Sequence, residues 1–464
     1  MTDRAQKYLL KFANRVFVLG IWVSISAIFY AVYRINDPYT EHFFIGYTNL
    51  ILPTFYYKII LFGGISAFCF GLAMRLNHNL KINLSLILVT IGITVYGFET
   101  YLEFNYETRT RSEVLDDLNE SGITAYPAIL PSLFIKSNGL KSADGRIYPF
   151  GGISNSTTIF TNESGYYPII ETDEYGFNNP KRFNKLTKLD IVLTGDSFTE
   201  GYSVHADETI SSVLWKSGFN TLNIGKGGNG SLIRLAALKE YAEPLKPMVV
   251  LWLHYINDIS ELEIEMTSSI LRKYLNQDDF SQNLISRQDE IDNLLIDYIQ
   301  GKMEKMRRGG VRRHWAFKIL KLSNIRQRMN LTPSGITRRN LRPKVNLTPP
   351  SISTTTIFKD ILQKSKQMIS GWGGEMYFVF LPAYGQYSTG NNDINREFVL
   401  RTTTELKVPM IDIHEEVFAS HPDPLSLFPY RREGHYNAEG YRLVAETIRN
   451  RLKADGIISK NLEK

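Results

Sequence analysis

The sequence predicts an α/β domain with a parallel sheet, carried behind three membrane-spanning helices. Two observations predict this. From Leu189 onward, short apolar runs of strand length alternate with longer helical stretches, the texture of a sheet covered by helices on both faces. Before residue 105 the chain is different, with three long runs free of charge. At 464 residues it is too long for one average domain.

The apolar runs come first in the chain. Val16–Tyr33 is bounded by Arg15 and Arg34, Ile59–Met74 by Lys58 and Arg75, and Ile82–Phe98 by Lys81 and Glu99. A span needs roughly 17–25 residues, and flanking Lys and Arg can snorkel to extend a short run. Phe55, Tyr56 and Tyr57 precede the second run as an interfacial aromatic belt would. The first run is long for a signal peptide and ends without a small-residue cleavage site. Residues 1–104 therefore read as a membrane anchor of three helices.

Orientation follows from the distribution of bases. Arg4, Lys7, Lys11 and Arg15 precede the first run, whereas Asn36–Tyr57 holds no Lys or Arg. The positive-inside rule puts the N-terminus inside and, after three crossings, everything past about residue 105 outside. The expected location is a bacterial inner or cytoplasmic membrane, with the large domain on the outer or periplasmic side.

Residues 105–120 read as a polar helix leaving the membrane. Ser121–Lys188 is rich in Gly, Pro, Asn, Thr and Tyr and predicts irregular β structure, so 105–188 forms a connecting region. In the domain at 189–464, strands are expected at Leu189–Thr194, Thr221–Ile224, Met248–Leu253, Met376–Leu381 and Val408–Ile413. Helices are expected at Thr209–Ser217, Leu232–Tyr241, Ile357–Ile369 and Ala438–Leu452. No internal repeat is visible.

Strand ends are where open α/β sheets place their chemistry. The first strand runs into Gly195-Asp196-Ser197, the second into "NIGKGGNGS" (Asn223–Ser231), the third into "WLHYINDIS" (Trp252–Ser260). "REGHYNAEGY" (Arg432–Tyr441) precedes the closing helix. Acyl transfer needs a nucleophile, a base beside it and donors for a developing oxyanion. Ser197 can attack, His435 can take its proton, and the Gly228 N–H and Asn257 amide can donate. Each residue also has an ordinary structural use: Ser197 or Asn257 as a helix cap, Gly228 in a tight turn, His435 in a surface loop. Asp196 and Asp258 read as loop-ordering residues, and His254, His414 and His421 as structural or solvated.

This ordered set resembles the SGNH, or GDSL-type, hydrolase superfamily. The resemblance covers roughly residues 189–452 and rests on Ser197 in "GDS", Gly228 in "GKGG", Asn257 in "IND" and His435 in "GHYNAEGY". It implies a three-layer, flavodoxin-like fold with ester hydrolysis or acyl transfer. Two positions depart from the family pattern. Tyr255 stands where glycine is frequent, and Arg432 stands where an acid usually precedes the histidine by three residues. The nearby acids are Asp423 and Glu433, and a Ser–His dyad is the remaining alternative.

The expected activity is a membrane-anchored serine esterase acting on an acyl ester, an acetyl ester of an envelope or exported glycan. One alternative is an O-acyltransferase with a membrane acyl-donor partner; another is a non-catalytic membrane scaffold of the same fold. No metal or organic cofactor is expected. The single cysteine, Cys69, excludes an internal disulfide, and no Cys/His cluster has zinc spacing.

An insertion at about 261–355 interrupts the domain. Between Lys302 and Lys344 fourteen Lys and Arg face one acid, Glu304, a charge of +13 against a whole-chain charge of +6. Val311, Trp315, Ile319, Leu322, Ile325 and Met329 fall on one face of a helix, with Arg312, Arg313, Lys318, Lys321, Arg326 and Arg328 largely elsewhere. A basic helix bearing Trp predicts an interface with the lipid bilayer; the plain alternative is packing on its own domain. An anionic glycan would also suit the charge, whereas the expected compartment argues against nucleic acid.

Overall fold

The computed structural model describes residues 3–36, 51–180, 189–309, 315–329, 351–390 and 395–457. They form two compact units. One comprises Met1–Thr108 with Gly301–Pro343, the other Arg109–Gln300 with Lys344–Lys464.

The first unit is helical. α1 (Asp3–Asn36), α2 (Ile51–Ala73) and α3 (His78–Asn105) each carry a stretch long and apolar enough to cross a membrane. Their apolar side chains point outward: Leu19, Trp22, Phe29, Phe62, Phe68 and Ile93 are all well exposed. In water such a surface would be a heavy liability; in hydrocarbon it is the expected one. Close packing of α1 on α2 uses small residues, as membrane helices do. A Cβ on Gly20 would lie 2.6 Å from the Phe70 ring, and Ser24 Oγ meets Ser66 Oγ at 3.1 Å.

The described part of 301–343 belongs to this unit. The single amphipathic helix expected from Val311 to Met329 is instead two short helices, Trp315–Leu320 and Ser323–Arg328, with Val311 outside the described residues. Leu322, at φ 51°, separates them. The break has a tertiary cause. In a continuous helix the Asn324 N–H would bond to the Leu320 carbonyl. Here Asn324 and Ile325 donate their N–H groups to Glu99 of α3, at 2.8 and 2.9 Å. The Leu320 carbonyl accepts from the Tyr96 hydroxyl at 3.3 Å instead.

The second unit opens with α4 (Arg111–Glu120), closed by a capping box between Thr110 and Glu113. Short strands follow. β1 (Ala125–Pro127), β4 (Thr157–Ile159) and β5 (Ile169–Glu171) make a mixed sheet in the order β1-β4-β5, while β2 (Leu140–Ser142) pairs with β3 (Gly145–Ile147). The expectation of irregular β structure in this region matches these elements.

The core sheet has five parallel strands: β6 (Ile191–Thr194), β7 (Thr221–Asn223), β8 (Val249–His254), β9 (Glu375–Phe380) and β10 (Met410–Asp412), in the order β10-β9-β8-β6-β7. Every residue of β6, β7 and β8 is buried. Strands covered on both faces read as near-continuous apolar runs, which is why β6 and β8 are plain in the sequence. Helices Ile210–Lys216, Ser231–Ala237, Ile352–Gly371 and Ala438–Ala454 contribute buried residues to the flanking layers. This is the parallel-sheet α/β class expected from the sequence, with helices flanking the sheet. The strand order sets β6 between β8 and β7, so the loop carrying Ser197 leaves the sheet between those carrying Asn257 and Gly228.

Candidate active site

The turn after β6 separates the two uses open to Ser197. Asp196, not Ser197, caps the short helix Ser197–Glu200, its side chain accepting from the Phe198 N–H at 2.9 Å. The Ser197 hydroxyl is left for another partner. Glycine is required at 195, because a Cβ there would sit 1.9 Å from Thr199 Oγ1.

That partner is His435, whose Nε2 lies 2.6 Å from Ser197 Oγ. The histidine is held between two anchored neighbours. The Tyr436 hydroxyl donates to the Pro382 carbonyl at 2.6 Å, and Asn437 caps the closing helix through the Gly440 N–H at 3.0 Å. The imidazole packs against the rings of Phe198 and Tyr202, with centroids 4.6 and 5.1 Å away.

Behind the histidine stands an acid that sequence reasoning missed. Glu163 Oε2 lies 2.8 Å from His435 Nδ1 and also accepts the His435 backbone N–H at 3.0 Å and the Ser203 hydroxyl at 2.7 Å. Neither expected acid fills this place. Asp423 pairs with Arg431, and Glu433 is exposed. Arg432 is exposed as well. Glu163 lies in "TNESGYY", in the turn between β4 and β5, ahead of the core sheet in the chain. The only hint was indirect: with arginine at 432, the histidine loop lacked the acid at the expected position, and nothing in the sequence pointed to residue 163.

The Glu163 turn is clamped on both sides. Ser164 Oγ donates to the Ser203 carbonyl at 2.6 Å, and the Tyr430 hydroxyl donates to the Ser164 carbonyl at 3.0 Å. Ser203 and Tyr430 both have left-handed backbone, at φ 72° and 52°. Two non-glycine residues in that region, each tied to the same turn, fit a site held in place by its surroundings.

The electrostatics follow from this pairing. Burial by itself would raise the Glu163 carboxyl, but the His435 charge and the hydrogen bonds from His435 and Ser203 outweigh it, leaving Glu163 at about 2. Burial would likewise lower His435. The Glu163 charge and hydrogen bond, with Asp196 and Glu200 beyond, overcome it and raise the imidazole above its ordinary value. Asp196 is fully buried and is raised to about 6, by burial first and by Asp258 next.

The oxyanion candidates stand on the flanking loops. Gly228, at φ 72°, occupies a conformation suited to glycine, and its N–H has no acceptor among the described residues. Its loop is tied to the serine helix by a buried pair. Glu200 Oε1 meets Lys226 Nζ at 2.5 Å, and Glu200 Oε2 accepts the Gly227 N–H at 2.7 Å. Asn257 begins helix Asp258–Glu265 and donates from Nδ2 to Glu261 Oε1 at 2.6 Å. Asp258 holds that loop from below, bridging Arg234 at 2.5 Å and His254 at 2.8 Å, all fully buried. The arrangement can carry nucleophilic acyl chemistry, with a serine, a base touching it and an acid touching the base. Among the described residues no His/Cys/Asp/Glu cluster could hold a metal ion.

No family model and no curated protein matches the chain. Several solved structures are similar in part. A two-domain esterase (CEX) active on acetylated mannans is 14% identical over 60% of this chain and 52% of its own, with a TM-score of 0.33. The chain thus spans about half of that esterase. A lipolytic protein of the G-D-S-L family from Veillonella parvula is 15% identical over 56% of this chain and 97% of its own, with a TM-score of 0.32. The lipase/acylhydrolase from Enterococcus faecalis is 14% identical over 57% and 96%, also at 0.32.

Proposed function

We propose that this chain is a membrane-anchored serine esterase of SGNH type. The observation that carries the reading is the relay from Glu163 through His435 to Ser197, joined at 2.8 and 2.6 Å. In the reaction His435 Nε2 takes the Ser197 proton as Oγ attacks an ester carbonyl. The Gly228 N–H and Asn257 Nδ2 donate to the oxyanion of the tetrahedral intermediate. His435 passes its proton to the departing alcohol, and the acyl group rests on Ser197. Water, deprotonated by the same imidazole, releases the acid. Glu163 holds Nδ1 protonated, leaving Nε2 as the acceptor, and stabilises the imidazolium that forms in each half-reaction.

The apolar surfaces of α1, α2 and α3 support anchoring in a membrane, and the base-rich N-terminal tail supports an outward-facing catalytic unit. An outward site meets envelope or exported material, so an acetyl ester on a glycan is the substrate we infer. The test is labelling with a fluorophosphonate probe. The intact chain should label, and Ser197→Ala and His435→Ala should not; labelling of Ser197→Ala would place the nucleophile elsewhere.

A further inference from the structure

The helical unit contains a buried acid that the proposed chemistry does not use. Glu99 follows directly on the charge-free run of α3 and is 0% exposed. A carboxylate at the edge of hydrocarbon is costly unless its oxygens are satisfied. Here each oxygen accepts a backbone N–H, from Asn324 at 2.8 Å and from Ile325 at 2.9 Å. The Asn324 side chain, itself 6% exposed, reaches Glu103 one turn further along α3, at 2.8 Å. The Tyr96 hydroxyl takes the Leu320 carbonyl, and the Lys321 ammonium lies 4.7 Å from the centre of the Tyr30 ring on α1.

All these contacts fall at one end of the bundle. Tyr30 lies near the C-terminal end of α1, and Tyr96, Glu99 and Glu103 lie near that of α3. The segment therefore sits where the charge-free runs stop, at the depth of lipid headgroups. Its outward surface is mixed. Leu320 is 64% exposed and Met329 61% exposed, apolar side chains turned away from the helices they sit on, while Lys321 is exposed beside them. An apolar residue facing outward at that depth meets acyl chain, and the bases around it meet phosphate.

We propose that residues 315–329 form an interfacial clasp, latched to α1 and α3 through Glu99, that binds the phospholipid headgroups of the bilayer holding the spans. The partner is anionic phospholipid, argued from the four bases Lys318, Lys321, Arg326 and Arg328, with no acid, between 315 and 329 and from the depth the latch imposes. The proposal rests on the membrane-spanning part of the reading above and not on the esterase part.

The experiment uses the full chain in vesicles of phosphatidylcholine, with and without phosphatidylglycerol. Cys69 is the only cysteine, so Cys69→Ser with Leu320→Cys gives one site for an environment-sensitive fluorophore. Co-flotation with lipid reports the spans independently, and ester turnover reports the catalytic unit. The expected result is a blue-shifted label, quenched by lipid-borne nitroxide, more strongly with phosphatidylglycerol. In Glu99→Ala the label should move to water and lose most of that quenching, while flotation persists. Glu99→Gln, which keeps one acceptor oxygen, should fall between and guards against a misfolded alanine variant. A water-exposed label in a chain that floats with lipid would overturn the clasp. Equal quenching in the parent, Glu99→Ala and Glu99→Gln would overturn the latch, and no response to phosphatidylglycerol would overturn the anionic partner.

Discussion

Glu163 can be tested by two substitutions that remove different things. One of its oxygens, Oε2, takes three donors: His435 Nδ1 at 2.8 Å, the His435 N–H at 3.0 Å and the Ser203 hydroxyl at 2.7 Å. In Glu163→Gln the amide must turn its oxygen toward them, because an NH2 group there would face three donors. The hydrogen bonds and the histidine tautomer survive, and only the charge is lost. Side chains 17% and 23% exposed sit between the surface and interior dielectric limits. A charge pair at this range is then worth about 4 kcal/mol before relaxation. Losing most of that from an imidazolium-forming transition state predicts a fall of about 10²-fold in kcat/KM. Glu163→Ala removes the orienting acceptor as well and should cost about 10³–10⁴-fold.

The pH profile adds a direction. Activity needs neutral His435, so the acid limb of kcat/KM marks its folded-state pKa. In the parent that limb should lie above the ordinary 6.5, because Glu163 more than offsets burial. Without the charge, burial prevails and the limb should move to lower pH in Glu163→Gln. Hydrolysis of a p-nitrophenyl acetate series across pH measures both quantities. Glu163→Ala within about threefold of the parent, or an acid limb that moves up, would refute the triad.

Other substitutions follow from the same geometry. Asn257→Ala, losing one oxyanion donor, should cost about 10²–10³ in rate. Glu261→Ala should cost less, and nothing further in the Asn257→Ala background if Glu261 acts only by holding that amide; a double-mutant cycle reads this directly. Lys226→Met strips the partner from buried Glu200 and should destabilise the domain by about 3–5 kcal/mol, seen in urea unfolding. A C-terminal alkaline phosphatase fusion should be active outside the cytoplasmic membrane, and activity confined to a cytoplasmic reporter would reverse the orientation.

What the sequence showed and what it hid differ in range. β6 and β8 were legible because burial on both faces leaves a largely apolar run; β7, Thr221-Leu222-Asn223, is buried but short and mostly polar. Ser197, Gly228, Asn257 and His435 stand in loops next to core strands or next to a capped helix, so local pattern could single them out as candidates, and the structure brings Ser197 and His435 together. Glu163 has no such marker. It comes from a turn between two three-residue strands, and its contact with His435 spans 272 positions. The clasp was half legible. The apolar spacing of Ile319, Leu322 and Ile325 is genuine, but the break at Leu322 arises because Glu99 takes over the N–H groups a continuing helix would have used. Periodicity does not see a competing acceptor brought in from another helix.

The position of Glu163 also bears on whether the fold is used for chemistry. With arginine at 432, a scaffold that had lost its acid was a fair alternative. A retired site would have no reason to bring three donors onto one oxygen of an acid from a separate part of the unit. Nor would it hold that acid's turn through Ser203 and Tyr430, both in left-handed backbone. Such conformations persist only where the surroundings over-determine them. The acid beside the imidazole thus comes from a part of the chain far from the histidine loop. Arg432 turns outward, and the histidine loop is left to be ordered by Tyr436 and Asn437. The catalytic reading therefore does not need an acid three residues before the histidine; it needs one that reaches Nδ1, and Glu163 does.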